Sequence, residues 1–263
     1  MNADAGMHPS RSWLVLVSVA AAVVAAGAMT TAVVLTHASG NRSTAAPPTV
    51  TSTTASRRVV ESTRFAYLPL WPFAGEADAQ AWQAAYRSGG HQPWHLDAGR
   101  TALSFTQGYL GYTNVDKVVG VRTSGQQTWV TVGFDDPNGR PITSAVLHLA
   151  RLGSGRDTPW EVVGTRDTSL TLTTPAYGST VRSPVDTGGR ITGVDESLRV
   201  QVRRLDRPDA VGRTSGVPAG GDRARWTVQV PFTAPGGGTL TIAVSTGGHV
   251  ADVERFAITG VRT

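Results

Sequence analysis

The chain contains no cysteine. That excludes disulfides, thiolate zinc sites, a cysteine nucleophile and a lipid-attachment cysteine. Lysine is nearly missing too: Lys117 is the only one, so the positive charge is arginine. With abundant Ala, Gly and Val, the composition resembles the coding bias of a high-GC bacterial genome. Charged residues make up 16 % of the chain, and no block of five or six like charges occurs. Nucleic acid is therefore not an expected partner. No Gly-x-Ser-x-Gly elbow, His-Glu-x-x-His pair, phosphate-cradling loop or dinucleotide fingerprint is present.

The most prominent feature present is the run Trp13–Leu35, 23 residues without a formal charge. As a helix it would span about 34 Å, enough for a hydrocarbon core of about 30 Å. Its length exceeds the usual apolar region of a secretory signal, which favours an uncleaved anchor over cleavage after Ala38, the competing reading. Residues 1–12 then form a short cytoplasmic N-terminus, 13–36 a transmembrane signal anchor and 37–59 a stalk. Small polar residues and Pro47-Pro48 keep that stalk from folding. The flanking charges barely decide orientation. A short N-terminus before a large C-terminal part is the usual form of an N-in anchor. The expected location is the cell membrane, single-pass, with the C-terminal part extracytoplasmic. The net charge of +5 is most simply scattered, solvated arginine, though a basic exterior suits anionic lipid or anionic wall polymers; an envelope protein or such a wall polymer is the expected partner.

Residues 60–168 read as an α+β domain. Phe65–Phe73 is an apolar, proline-interrupted lead-in. A helix is expected over Glu76–Arg87, with Glu76 and Asp78 in its first turn, Trp82, Ala85 and Tyr86 on one side, and Ser88-Gly89-Gly90 as its stop. A second helix is expected from the N-cap Asp97 to about Leu110, with Ala102, Phe105 and Tyr109 in its apolar stripe. The period then changes to two. Val115–Arg122, Thr128–Phe134, Thr143–Leu152 and Trp160–Arg166 form a four-stranded antiparallel meander joined by turns such as Asp136-Pro137-Asn138-Gly139. The order of elements resembles cystatin-like or nuclear-transport-factor-like folds, by pattern alone; such folds host both enzymes and binding proteins.

Residues 169–263 read as an all-β sandwich. Leu198, Val200 and Val202 alternate with Arg199, Gln201 and Arg203. Trp226, Val228 and Val230 alternate with Thr227 and Gln229. Leu240, Ile242 and Val244 alternate with Thr241, Ala243 and Ser245. Each is expected to be a half-buried strand. Shorter candidates at Leu170–Thr173, Gly189–Thr192, Val211–Thr214 and Val253–Ile258 bring the count to about seven, an immunoglobulin-like number.

The opening of this region is its most specific stretch. Pro175, Gly178, Val181, Ser183, Pro184 and Val185, then Gly193 and Glu196 before an alternating strand, resemble the Gmad-type immunoglobulin-like domain. That domain accompanies the spore-germination GerMN module in bacterial exported proteins. The resemblance implies an extracytoplasmic, non-catalytic accessory domain. The chain departs from that arrangement in carrying no recognisable GerMN module beside it.

For chemistry the sequence offers little. His91, His95 and Asp97 lie close together, but Pro93 breaks helical spacing and Asp97 is used as a cap. Asp135 and Asp136 are turn formers, and His148 sits within a strand. No catalytic, cofactor or metal residue is assigned. Trp71, Trp94 and His95 remain as candidate ligand contacts, since aromatic platforms stack on sugars, against the simpler reading of tryptophan as core and interface material. The expected function is non-catalytic binding or scaffolding in the bacterial envelope, with a sporulation or germination setting implied by the resemblance. The alternative is a ligand-binding or hydrolytic pocket in the α+β domain.

Overall fold

The computed structural model describes residues 65–263; the anchor and stalk assigned to residues 13–59 lie outside them. Among the described residues, no helix is long and apolar enough to cross a membrane.

The first helix, α1, is Glu76–Gly89, and Gly90 ends it in the left-handed conformation, its amide donating to Tyr86 O. Its inward face is Ala79, Trp82 and Gln83, whereas Ala85 is exposed. Gln83 shifts the face because its Nε2 donates to Arg156 O at 3.1 Å, fastening α1 to the turn between two strands of the meander. After a 3₁₀ turn at Pro93–Leu96, α2 runs Ala98–Ser104 and continues as one π-helical turn, Phe105–Tyr109. Asp97 caps it as expected, accepting from Arg100 N at 3.0 Å. The wider turn, next to the weak helix former Gly108, brings Phe105 and Tyr109 to the inside with ring centroids 5.5 Å apart.

The meander consists of β1 (Lys117–Ser124), β2 (Gln127–Asp135), β3 (Pro141–Arg151) and β4 (Trp160–Arg166), in the order β1-β2-β3-β4. Val130 and Val132 of β2 and Ala145, Leu147 and Leu149 of β3 face α2. A bulge follows Val132, and there Gly133 lies so close to β3 that an added Cβ would sit 1.8 Å from Ile142 O.

The remaining strands are β5 (Val185–Arg204), β6 (Gly212–Val230), β7 (Thr239–Thr246) and β8 (Arg255–Arg262). They form a second antiparallel sheet in the order β6-β5-β7-β8. Four long strands therefore replace several of the shorter ones expected. The segments expected at Gly189–Thr192 and Leu198–Val202 are parts of β5, interrupted by irregularities between Ile191 and Gly193 and between Leu198 and Val200. Likewise Val211–Thr214 and the Trp226 strand merge in β6. Leu170, Thr174 and Thr180 make single bridges, to Ile191, Gly188 and Arg262.

Both sheets belong to one compact unit. The second sheet has a core of its own around Ile191, Leu198, Val202, Trp226 and Leu240. The first sheet's core is completed by Ala243, Val253, Phe256 and Ile258 from the second half. So β7 and β8 are covered on both faces, and Thr241, Ala243 and Ser245, expected to face solvent, are buried. The two halves are also stitched by hydrogen bonds. Thr165 Oγ1 donates to Ile258 O and accepts from Ile258 N, and Tyr177 Oη accepts from Leu68 N at 2.7 Å.

Candidate functional site

The three residues singled out as ligand contacts come together, but in two different settings. Trp71 is held by backbone bonds between its strand-like segment and β4: Leu70 N donates to Val162 O, and Val162 N donates to Trp71 O. Its indole stacks on that of Trp94, centroids 5.6 Å apart at 23°, and both rings are half-buried. His95 turns the other way. It is 3 % exposed and packs among Phe73, Trp82 and Trp94. Burial, with His91 nearby, lowers its pKa to about 4, so the ring is neutral at pH 7. Its Nε2 pairs with Gln92 Oε1 at 3.1 Å, and Nδ1 has no partner among the described residues. His91 is exposed and Asp97 is engaged as the cap of α2. No cluster of three or more His, Asp or Glu side chains suited to a metal ion occurs among the described residues.

Beneath this cluster lies Glu161, which the sequence reading passed over. It sits on β4 between Trp160 and Val162 with no exposure at all. Its Oε2 accepts from Phe73 N at 3.1 Å, while Oε1 has no partner among the described residues. Burial pushes its carboxyl well above the usual range against the pull of the neighbouring backbone amides. A neutral acid here anchors the Phe65–Phe73 lead-in to the sheet.

A separate cavity of 400 Å³ opens where the two halves meet. Its floor is the second half of β5, where strand alternation aims Arg199, Gln201 and Arg203 to one side. Its roof is the chain leaving α2, Leu110–Tyr112, and its far wall includes Ser245 and Val253. Three contacts fix the roof. Gln201 Nε2 donates to Leu110 O at 3.0 Å, the Tyr112 ring lies 5.3 Å from that of Phe256, and Asn114 pairs with the Val253 backbone. Burial raises the pKa of Tyr112, so it stays a neutral phenol.

Three guanidinium groups line this cavity against one carboxylate, Asp252. Arg199 uses that carboxylate, Nη1 to Oδ1 at 2.7 Å. Arg203 is 5 % exposed and has no carboxylate within salt-bridge distance among the described residues. Its Nη1 donates to Gln201 Oε1 at 3.2 Å, its Nη2 to Pro208 O at 2.6 Å, and its plane lies 4.8 Å from the Tyr109 ring. Its Nε, Tyr109 Oη and the Oγ1 of its cross-strand neighbour Thr241 are buried close to one another without a well-aligned hydrogen bond. Burial depresses the Arg203 pKa, and the positive charge of Arg213 pushes the same way. Arg213 itself is exposed and without an ion-pair partner among the described residues.

The alternation of Arg199, Gln201 and Arg203 was visible in the sequence, as the outward face of a strand. That the face is roofed was not, because the roof comes from residues about ninety positions earlier. The signal that could have marked it is the concentration of three long, hydrogen-bonding side chains on one face of one strand. Comparison with known protein families returns no match for this chain, and no curated protein matches it either.

Proposed function

We propose that this chain is a membrane-anchored, extracytoplasmic protein of the bacterial cell envelope that binds or scaffolds other envelope components. In this reading residues 13–36 form a single-pass anchor with the N-terminus inside, and residues 37–59 hold the folded part away from the bilayer. The second half is an immunoglobulin-like sandwich of the Gmad type. Support for the sandwich comes from the closed core around Trp226 and from the Leu170 and Thr174 bridges, which add a further edge beside β5. The sporulation or germination setting rests on the Gmad resemblance alone.

One observation carries the preference for binding over catalysis. The space between α2 and the meander, where a nuclear-transport-factor-like enzyme would hold its substrate, is filled by Ala102, Phe105, Val130, Leu147 and Val162. Close-packed apolar side chains leave a substrate no room there. The polar cavity, lined by Arg199, Gln201, Arg203 and Arg213, lies instead between the two sheets.

The test is protease accessibility of intact bacterial cells expressing the full chain with a C-terminal tag. The expected result is recovery in the membrane fraction, resistant to a high-salt wash, with the tag removed by external protease. Recovery in the cytoplasm, or a tag protected until the cells are lysed, would sink the reading.

A further inference from the structure

We propose that the cavity between the two halves is a binding site for a carboxylate carried on a short, partly apolar body, held between Arg203 and Arg213. This rests on the binding reading above and supplies that reading with a site and a ligand class.

The argument begins with the cost of Arg203. A cation that is 5 % exposed without a carboxylate is expensive unless something supplies opposite charge or replaces its hydration. Gln201 and Pro208 satisfy Nη1 and Nη2 with neutral oxygens, and the Tyr109 ring covers one face. Arg203 Nε has no hydrogen-bond partner among the described residues but is itself shielded from solvent, so what a ligand meets is the edge of the guanidinium that lines the cavity. Arg213 stands opposite Gln201 in the β5–β6 register, so it reaches the same space from the neighbouring strand. Two guanidiniums repel one another across this cavity, its one carboxylate, Asp252, is engaged by Arg199, and Asp209 acts on Arg203 only from beyond salt-bridge distance, an arrangement that an anion resolves.

The choice of carboxylate over phosphate follows from the roof. Leu110 terminates the π-helical turn that ends α2, and its carbonyl points to Gln201 at the cavity's edge. The C-terminal end of a helix carries partial negative charge. It disfavours a dianion more than a monoanion. Phosphate sites also draw on helix N-termini and runs of backbone N–H groups, and the helix end contributing to this cavity is a C-terminal one. The body of the ligand is set by the walls: Leu110, Val200 and Val253 are apolar, and Thr214 and Ser245 offer hydroxyls. A volume of 400 Å³ is at the small end for ligand cavities, which run from about 300 to 1,000 Å³. It suits one or two residues of a peptide ending in a free carboxyl group, or a small organic acid of that size.

The test is calorimetric titration of the full chain in neutral detergent with four probes: N-acetyl-alanyl-alanine, its C-terminal amide, butyrate and inorganic phosphate. Saturable binding of the peptide acid, at least about tenfold tighter than of its amide, is expected from the loss of a charge-assisted hydrogen bond. Butyrate binding as tightly as the peptide acid assigns the site to small organic acids; weaker binding assigns it to peptide termini; either supports the carboxylate. Arg213→Gln is the decisive variant, because that side chain is exposed and supports nothing in the fold; its binding should weaken at least about tenfold with an unchanged melting temperature. Arg203→Lys keeps the charge but loses the fork, and should weaken binding similarly.

Equal binding of acid and amide, no saturable binding of either acid by about 1 mM, tighter binding of phosphate, or wild-type affinity in Arg213→Gln would each overturn the proposal. Failure here is separable from failure of the anchored-protein reading. External protease cleavage without carboxylate binding removes the ligand and keeps the location; carboxylate binding in a cytoplasmic protein does the reverse.

Discussion

Asn114 and Val253, 139 residues apart, exchange two hydrogen bonds: Asn114 Nδ2 donates to Val253 O at 2.8 Å, and Val253 N donates to Asn114 Oδ1 at 3.0 Å. A primary amide paired with a backbone peptide in this way copies one rung of a sheet. It ties the chain leaving α2 to the loop before β8 and closes one end of the cavity. Asn114→Ala would leave both Val253 groups without their partner. The expected loss is about 1–3 kcal/mol in denaturant unfolding, and carboxylate binding should weaken with it because the roof is released.

His95 predicts a specific response to acid. Its folded-state pKa of about 4 lies below the ordinary value of 6.5, so the unfolded chain binds the proton more readily between these values. The stability that neutral His95 contributes is complete above pH 6.5 and is lost as pH falls toward 4, on the order of 3 kcal/mol. Unfolding free energies of wild type and His95→Gln, measured across that range, should converge as the pH is lowered. Parallel curves would show that His95 is not held neutral.

Glu161 acts in the opposite sense. Its folded-state pKa is raised well above 4.5 by burial, so the folded chain holds the proton more tightly than the unfolded one. Stability associated with this group is fully present in acid and falls as pH rises above about 4.5 toward the raised value. Glu161→Gln should therefore gain on wild type as pH rises above about 4.5. A difference that does not change with pH would contradict a neutral buried acid.

Gly133 tests the bulge in the meander. Any side chain there must displace the β3 backbone, since an added Cβ would lie 1.8 Å from Ile142 O. Gly133→Ala is expected to cost about 2–3 kcal/mol or more in thermal or denaturant unfolding. A melting temperature within a degree of wild type would mean that the β2–β3 pairing is looser than described.

Asp252 predicts a gain rather than a loss. Its carboxylate occupies Arg199 at the mouth of the cavity, with both side chains largely in solvent. Exposed pairs contribute about 0.2–1 kcal/mol, so Asp252→Asn should leave the fold nearly unchanged and free a third guanidinium for an incoming anion. Calorimetric titration with N-acetyl-alanyl-alanine should show binding a few times tighter than wild type. Weaker binding would place the ligand elsewhere.

The legible part of this fold was the part set by local chemistry. Asp97 as a cap, Gly90 as a stop and the alternation of Val130 and Val132 each depend on neighbours within a few residues, and each stands where the sequence implies. Strand ends were read too short where the chain bends without leaving the sheet: Gly193 marks an irregularity inside one strand and resembles a turn signal when taken alone. Thr241 and Ser245 were expected at the surface because their polarity alternates with leucine and isoleucine. Their burial comes from the first half lying over β7, which no local pattern records. The same cause hid the cavity, since Arg203 is a surface arginine by pattern and a buried one by tertiary structure. Among the aromatic candidates, the Trp71–Trp94 pair was brought together by the pairing of the lead-in with β4, a contact across 91 positions between Trp71 and Val162.

The central claim is that the two halves share a core and build the cavity between them. Equilibrium unfolding of the full chain tests it most directly, followed at once by tryptophan fluorescence, which reports mainly on the first half, and by hydrogen exchange of the β5–β8 amides. Because Ala243, Phe256 and Ile258 complete the core of the first sheet, both probes should give one coincident transition with the same midpoint. Two separated transitions, with the first half unfolding while the β7 and β8 amides stay protected, would contradict it.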